Sequence, residues 1–502
     1  MSLSHNHHLL FRIICCLVLA FYAFSPASAI ENLPDIGSSV DKVMSVEEEN
    51  KIGVEFMRSI RANLDLVNDP VSNEYIQNLG EKLASQVESS GLSFTFFIVN
   101  DNTINAFAGP GGYIGVHTGL ILASQSEDEL ASVMAHEIAH VTQRHLVRTL
   151  SQSTNMTIPA MAAIIAAILL GQGNSQITEA VIASTIAGTT QTQLNFSRLH
   201  EQEADRVGID MMAKSGFDPL AMPNFFQTLQ KSHRYADGNI PEFILTHPVT
   251  SSRIADSKGR AEQYPRVHRT PEQSINYELV KTRIYELSKD KIHDPVAQLS
   301  AEKPPGKNAH FAKRYQYVLE LDPKQNYREA SKAIEELIKD DNERVPYIVT
   351  QADIEMANEH WETAGEILKR GKLIYPNNAS ITSLYAKALM KNQQSSEAMQ
   401  LLEKQLRQPT PPVEYFKLYA QAAQLAGFSS ESAESLGEYY YRLGNLHLAI
   451  KQFEYALKEN NNNRFRELKL KARIQEIKTQ VLNNQPSKES TSENLVSAMK
   501  IR

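Results

Sequence analysis

The chain has 502 residues, 42% of them hydrophobic, with 51 Lys and Arg against 58 Asp and Glu for a net charge of −7. That length accommodates two or three domains with their own cores, and a mildly acidic chain without a concentrated basic stripe argues against nucleic acid as a partner. The 2 cysteines are adjacent in the first segment; once it is removed no thiol is left, which excludes a disulfide framework and a Cys-ligated zinc.

That first segment reads as a signal peptide covering residues 1–29. Arg12 precedes the apolar run Ile13 to Phe24, and Ala27-Ser28-Ala29 supplies small residues for cleavage after Ala29. An uncleaved anchor is the alternative. Export to an oxidising compartment agrees with the cysteine-free mature chain.

From about Ser45 to Val87 the positions of Val54, Met57, Ile60, Ile76, Leu79 and Leu83 predict two helices broken at Asn68-Asp69-Pro70. Phe94 to Val99 is a strand by alternation and β-propensity. Asn105 to Gly112 reads as a turn-rich link to a second strand, Tyr113 to Leu122. An exposed strand edge close by would hold an extended peptide by main-chain pairing, with Ile114 to Val116 as the candidate.

Ser126 followed by Glu127-Asp128-Glu129 is a capping-box start with acids in the first turn. Leu130, Val133, Met134, Ile138 and Val141 then recur at helical spacing to about Leu150. This helix carries His136-Glu137-Ile138-Ala139-His140. Imidazoles four residues apart on a helix share a face and can share a zinc ion, while the intervening Glu137 reaches the water and acts as general base, then acid. His145 points away from His140 on such a helix and receives no role.

Ile158 to Leu170 is apolar all round but too short to cross a bilayer, and Ile177 to Ala187 is a second apolar segment. Together they read as a helical hairpin over the active site or against a membrane surface, with plain core as the alternative.

A peptidase zinc needs three protein ligands and one open position. Ser197 to Asp205 is the persuasive source of the third. Glu201 and Asp205 are four apart on a helix, so Glu201 can bind zinc while Asp205 accepts the free ring N–H of a ligating histidine. Glu203 reads as solvated face charge, and Gly208 would allow a close helix contact. Thr246-His247-Pro248 places a histidine outside the three-ligand set. His247 either stabilises the oxyanion or fills the fourth position as a latch; a proline-tethered loop distant in sequence suits the latch, and a structural turn histidine is the bland alternative. Arg253 orients substrate or pairs with an acid.

Pro304-Pro305-Gly306 closes a linker, 266–306, after which a 34-residue step sets in: Ala330, Ala364 and Ala398; Ile334, Leu368 and Leu402; Ala352, Ala386 and Ala420. Small residues at this period let paired antiparallel helices approach closely, as in tetratricopeptide repeats. Leu436, Gly437, Tyr440, Ala449, Phe453 and Ala456 match the repeat best, yet Ala398 and Ala449 are 51 residues apart. One odd helix or a register break is therefore expected. The tail 483–502 is polar and reads as disordered.

The fold expected is an α+β zincin-like metallopeptidase domain over 30–265, followed by an all-α tetratricopeptide-repeat solenoid over 307–482. The histidine motif, Glu201-x-Glu203-Ala204-Asp205, Asn105-Ala106-Phe107 with Pro110-Gly111-Gly112, and Thr246-His247-Pro248 with Arg253-Ile254 together resemble the gluzincin family of CAAX prenyl endopeptidases and HtpX-type heat-shock proteases. The likeness extends over about 45–482. It implies one Zn2+ held by His136, His140 and Glu201. Unlike the prenyl and heat-shock members, this chain lacks several transmembrane helices. It looks instead like the exported, repeat-bearing branch, whose implied setting is the periplasm, with misfolded or stalled outer-membrane proteins as substrates and a β-barrel assembly machine as partner. A chaperone-like adaptor with a largely latent metal site is the competing reading, and a secreted eukaryotic hydrolase with the same zinc chemistry is a third.

Overall fold

The computed structural model describes residues 44–86, 91–150, 165, 190–235, 242–268, 270–289, 308–321, 323–408, 411–460 and 463–483. The expected signal peptide and polar tail lie outside them apart from Asn483, as does the apolar pair Ile158–Leu170 and Ile177–Ala187 apart from Ile165.

The first half opens with two helices, α1 (Val46–Asn63) and α2 (Pro70–Ala84). Ser45 and Glu48 close a reciprocal capping box on α1. Asp69 caps α2 through the Ser72 N–H, with Pro70 in the first turn where its missing N–H costs nothing. Strands β1 (Thr95–Val99), β2 (Ala106–Ala108) and β3 (Tyr113–His117) make one sheet in the order β1-β3-β2. β3 runs parallel to β1 and antiparallel to β2.

Three sequence expectations change here. Ile114 to Val116 lie in the central strand, paired on both sides, so they offer no free edge. Residues expected to form a turn-rich link include strand β2. The second strand stops at His117, and Thr118–Ala123 turn into helix α3, buried on every side. A short, wholly apolar run carries no periodicity with which to tell strand from buried helix. The turn before β3 needs glycine at Gly112: φ is 79° there, and a Cβ would meet the Ser93 carbonyl oxygen at 2.4 Å.

Helix α4 (Glu127–Thr142) follows. Ser126 accepts from the Glu129 N–H, but the Glu129 carboxylate turns to the Gln125 N–H at 2.6 Å rather than completing the box. The helix ends at Thr142 and not near Leu150; Arg144 takes the left-handed conformation, φ 52°, and a separate helix α5 (His145–Leu150) begins. Then come α6 (Thr190–Lys214), α7 (Ala221–Tyr235), the one-turn α8 (Glu242–Thr246) and α9 (Ser251–Ala261). Gly208 of α6 sits against α4, where a Cβ would stand 3.3 Å from the His136 nitrogen. That close approach places the acids of α6 beside the histidines of α4.

The remaining described elements are helices: α10 (Pro271–Ser288), α11 (Ala309–Glu320), α12 (Tyr327–Asp341), α13 (Val345–Ala357), α14 (Trp361–Ile374), α15 (Ala379–Lys391), α16 (Ser395–Leu406), α17 (Val413–Leu425), α18 (Ser429–Arg442), α19 (Leu446–Lys458) and α20 (Arg464–Asn483). Each packs on the next, and α13, α15 and α17 also touch one another in turn. The residues of the 34-residue sets occupy equivalent helices and are all buried. Between Ala364 and Ala398 stands the single helix α15, whereas α17 and α18 both stand between Ala398 and Ala449. The long interval therefore holds an additional helix. Among the described residues no helix is long and apolar enough to cross a membrane.

The stretch expected to be a linker, 266–306, contains α10, which is embedded rather than free. Tyr277 is buried and donates to the Ser124 carbonyl at 2.8 Å. Arg283 reaches Asp69, Tyr315 and Thr350 at 2.8, 3.1 and 3.1 Å. Glu74 of α2 caps α15 from outside its own half, accepting from the Ala379 and Ser380 N–H groups at 2.6 and 2.9 Å. One apolar cluster runs from Ile121 and Leu130 through Val349 and Ala388. Ile275 and Leu279 of α10 form a core with Tyr315 and Val318 of α11. A fragment 307–480 exposes that core, at about 1.5–3 kcal/mol for each lost aliphatic partner. A fragment 271–480 is therefore expected to melt at higher temperature than 307–480 by circular dichroism, and equal melting would place the boundary after α10.

Candidate metal centre

Helix α4 presents His136 and His140 on one face, α6 presents Glu201 and Asp205, and the turn after α8 presents His247. Ligand atoms of His136, His140, Glu201 and His247 all lie within 4.8 Å of one another. The Nε2 atoms of His136 and His140 are 3.0 Å apart. His247 Nδ1 is 3.3 Å from His136 Nε2 and 3.0 Å from Glu201 Oε1. Glu201 Oε1 is 3.3 Å from His140 Nε2, and its Oε2 is 3.3 Å from His136 Nε2.

Asp205 Oδ1 lies 3.0 Å from His136 Nδ1. Arg253, 4% exposed, grips Asp205 with a bidentate pair at 2.8 and 2.7 Å. It also reaches Glu201 Oε2 at 2.8 Å, donates to the Pro248 carbonyl at 3.0 Å, and stands 5.0 Å over the Phe226 ring. One guanidinium thus ties both acids of α6 to the turn that carries His247. That turn is fixed from the other side by Phe243, whose ring stacks on His247 and whose N–H donates to the Ile104 carbonyl at 3.1 Å.

Two residues given no special part by sequence sit in the site. His145, brought back by the left-handed turn at Arg144, puts its Nδ1 3.0 Å from His140 Nδ1. Glu203 is not simply solvated: it accepts from His145 at 3.1 Å and from Arg148 at 3.0 Å. An unbroken helix to Leu150 would have turned His145 away, and neither Gln143 nor Arg144 is a helix-breaking residue type that would signal the turn. A further histidine just past the motif is the one available hint.

Residues 70–261 match the peptidase family M48 profile. A Vibrio cholerae protein named as a candidate beta-barrel assembly-enhancing protease is 34% identical over 451 residues, 89% of this chain and 92% of the relative. The beta-barrel assembly-enhancing protease of Escherichia coli is 31% identical over 473 residues, 94% of this chain and 96% of the relative. The chain belongs to peptidase family M48. It is a zinc metalloendopeptidase. The mitochondrial metalloendopeptidase OMA1 of Arabidopsis thaliana is also similar, 27% identical over 222 residues, 43% of this chain.

The side chains present fit the zinc of the family. A tetrahedral zinc with bonds of about 2.0–2.1 Å sets neighbouring ligand atoms about 3.3 Å apart, close to the 3.0–3.3 Å separations found here. Glu137 Oε1 is buried beside the cluster without a hydrogen-bond partner.

Burial and mutual charge set the proton affinities of these side chains. Burial pushes Glu137 up. Burial would also raise Glu201, but the neighbouring charge of His247 and hydrogen bonds from His136, His140 and His247 hold it well below the usual carboxylate range. Burial brings His140 down to about 3. It acts in the same sense on His136, yet Asp205 and Glu201 outweigh it and raise that imidazole to about 9. The raised value stabilises the metal-free fold below the ordinary 6.5, a contribution lost as pH climbs through about 9. A metal-bound imidazole is neutral, so zinc binding at pH 7 is expected to release about one proton, with affinity rising roughly tenfold per pH unit. Calorimetry in buffers of different ionisation enthalpy measures this; zero net proton release would refute the protonated His136.

Proposed function

We propose that this chain is an exported, periplasmic endopeptidase that cleaves misfolded or stalled outer-membrane β-barrel proteins. In this reading the helices from about residue 307 form a tetratricopeptide-type array that docks clients and the barrel-assembly machinery, and so assists assembly. The names of the relatives support the substrate class, and the helix-on-helix stacking supports the array. The convergence of His136, His140 and Glu201 around one point, with Glu137 beside it, carries the catalytic reading.

His136, His140 and Glu201 hold the zinc, which when bound polarises the scissile carbonyl and acidifies water. Glu137 would take a proton from the attacking water and pass it to the leaving nitrogen, and burial raises its proton affinity in the direction that a general base needs. The Ala108 N–H holds this carboxylate. Asp205 keeps the His136 ring in the tautomer that leaves Nε2 for the metal. Arg253 neutralises Asp205 and Glu201 and fixes their orientation. The strand edge next to this chemistry is that of β2, not β3: the bonds His117 N–H to Asn105 and Gly109 N–H to Tyr113 leave the Ala106 and Ala108 amides directed away from β3. A substrate strand added at this edge has the Ala108 carbonyl to pair with, the Ala108 N–H being held by Glu137.

His247 acts as a latch in this proposal. Its Nδ1 is aimed at the same point as the three ligands and its Nε2 lies 3.5 Å from Glu137 Oε1. It occupies the position that water needs, and client binding must move the turn through Thr246 and Pro248. The resting protein is then latent, as an adaptor would be, although Glu137 is retained. Zinc-loaded wild type and His247→Ala, each incubated with an unfolded barrel protein, test the proposal. Faster cleavage by His247→Ala is expected. A zinc-replete but dead His247→Ala would assign the histidine to the oxyanion instead. Cleavage of casein without cleavage of any barrel protein would reject the substrate class.

A further inference from the structure

The zinc-ligating histidines differ in what holds their second nitrogen. His136 Nδ1 faces a carboxylate, Asp205, at 3.0 Å. His140 Nδ1 faces another imidazole: His145 Nδ1, at 3.0 Å. Behind it His145 Nε2 is 3.1 Å from Glu203 Oε2, and Arg148 donates to the same oxygen at 3.0 Å. His145 is 4% exposed and lies flat on His200, ring centroids 4.2 Å apart at 11°. The stacking fixes the plane of its ring, with one nitrogen toward His140 and the other toward Glu203.

We infer that His145, oriented by Glu203, is the positioning residue for His140, doing through one intervening imidazole what Asp205 does directly for His136. This rests on the reading of His140 as a zinc ligand. Bond directions follow from that reading. With Nε2 on the metal, the neutral His140 ring carries its proton on Nδ1 and donates it to His145 Nδ1. His145 then carries its own proton on Nε2 and donates it to Glu203. Every donor in the chain meets an acceptor, and the carboxylate makes His140 a stronger electron donor to zinc while preventing ring rotation.

The device depends on the break between α4 and α5. Arg144 holds the left-handed turn although it is not glycine, and its side chain explains why: buried, it pairs with Glu49 of α1 at 3.0 Å and donates to the Met44 carbonyl at 2.7 Å. Strain at a non-glycine residue persists where surrounding contacts over-determine it. Here the contacts set His145 under His140.

The test uses the full-length chain with zinc and with cobalt. His145→Phe keeps the stacking surface on His200 but cannot accept a proton. It should weaken zinc binding about 10–100-fold against a chromophoric chelator, shift the visible bands of the cobalt form, and leave the melting of the metal-free chain unchanged. His145→Asn places an amide oxygen near the Nδ1 position and should recover part of that affinity. Glu203→Gln should lose less affinity than His145→Phe. Wild-type affinity and cobalt spectrum in His145→Phe overturn the inference, as does a loss matched by an equal fall in metal-free melting. If His145→Phe does not fold, the other two variants decide it, and wild-type binding in both overturns it. His140→Ala separates the underlying reading: undiminished zinc in that variant removes His140 from the ligand set, whereas loss of zinc there with none in His145→Phe rejects only the relay.

Discussion

Glu137→Gln is expected to lower peptide hydrolysis about 10²–10⁴-fold, the usual worth of a positioned general base and acid, while the protein still binds zinc. The substitution preserves volume and hydrogen-bonding length but cannot take a proton from water. Glu137 is buried, and among the described residues its Oε1 makes no hydrogen bond and only a 3.5 Å contact to His247 Nε2, so exchanging a carboxylate for an amide breaks no hydrogen bond at that atom. Under the proposed latch the wild type starts from a low rate, and the loss is then read best against His247→Ala. Zinc content and melting temperature, measured on the same samples, separate catalysis from folding. A variant with full zinc and at least a tenth of the parent rate would remove Glu137 from the reaction.

Arg253→Met has the largest expected effect on stability. The guanidinium is the buried counter-charge of Asp205, through hydrogen bonds of 2.8 and 2.7 Å, and forms an ion pair of 2.8 Å with the buried Glu201. Removing one partner of such a group leaves uncompensated buried charge, at a cost of about 3–5 kcal/mol. Denaturant unfolding of the metal-free protein should show that loss. In the proposed ligand set zinc adds positive charge beside Glu201, so the loaded protein should lose less. Arg253→Lys should not restore stability, since an ammonium cannot make the planar pair to Asp205 and reach Glu201 and Pro248 together. A cost below about 1 kcal/mol would mean that solvent reaches the acids and that Arg253 is not their structural partner.

The parts of this protein legible in its sequence are those governed by local rules. Helical periodicity and end signals set α1 and α2, with Ser45 and Asp69 as caps and Pro70 in a first turn. The four-residue spacing of His136 and His140, and of Glu201 and Asp205, suffices to put each pair on one helix face, whatever the rest of the chain does. The 34-residue steps likewise fall on buried positions of equivalent helices, because close helix contact demands small residues at a fixed period.

What sequence could not set were features decided by partners far along the chain. Ile114 to Val116 became a central strand because a three-residue strand, too short to show alternation, paired on its second side. Residues 271–288 became an embedded helix because Asp69, Ser124 and Tyr315 bind it across the fold. His145 turned toward His140 because Glu49, 95 residues upstream, holds Arg144 in a conformation its own residue type disfavours. Periodicity is a property of one segment, and it fixes the metal motif. The orientation of the second nitrogen of a ligand, the open edge of a sheet and the end of a helix are set by contacts that the folded chain alone brings together.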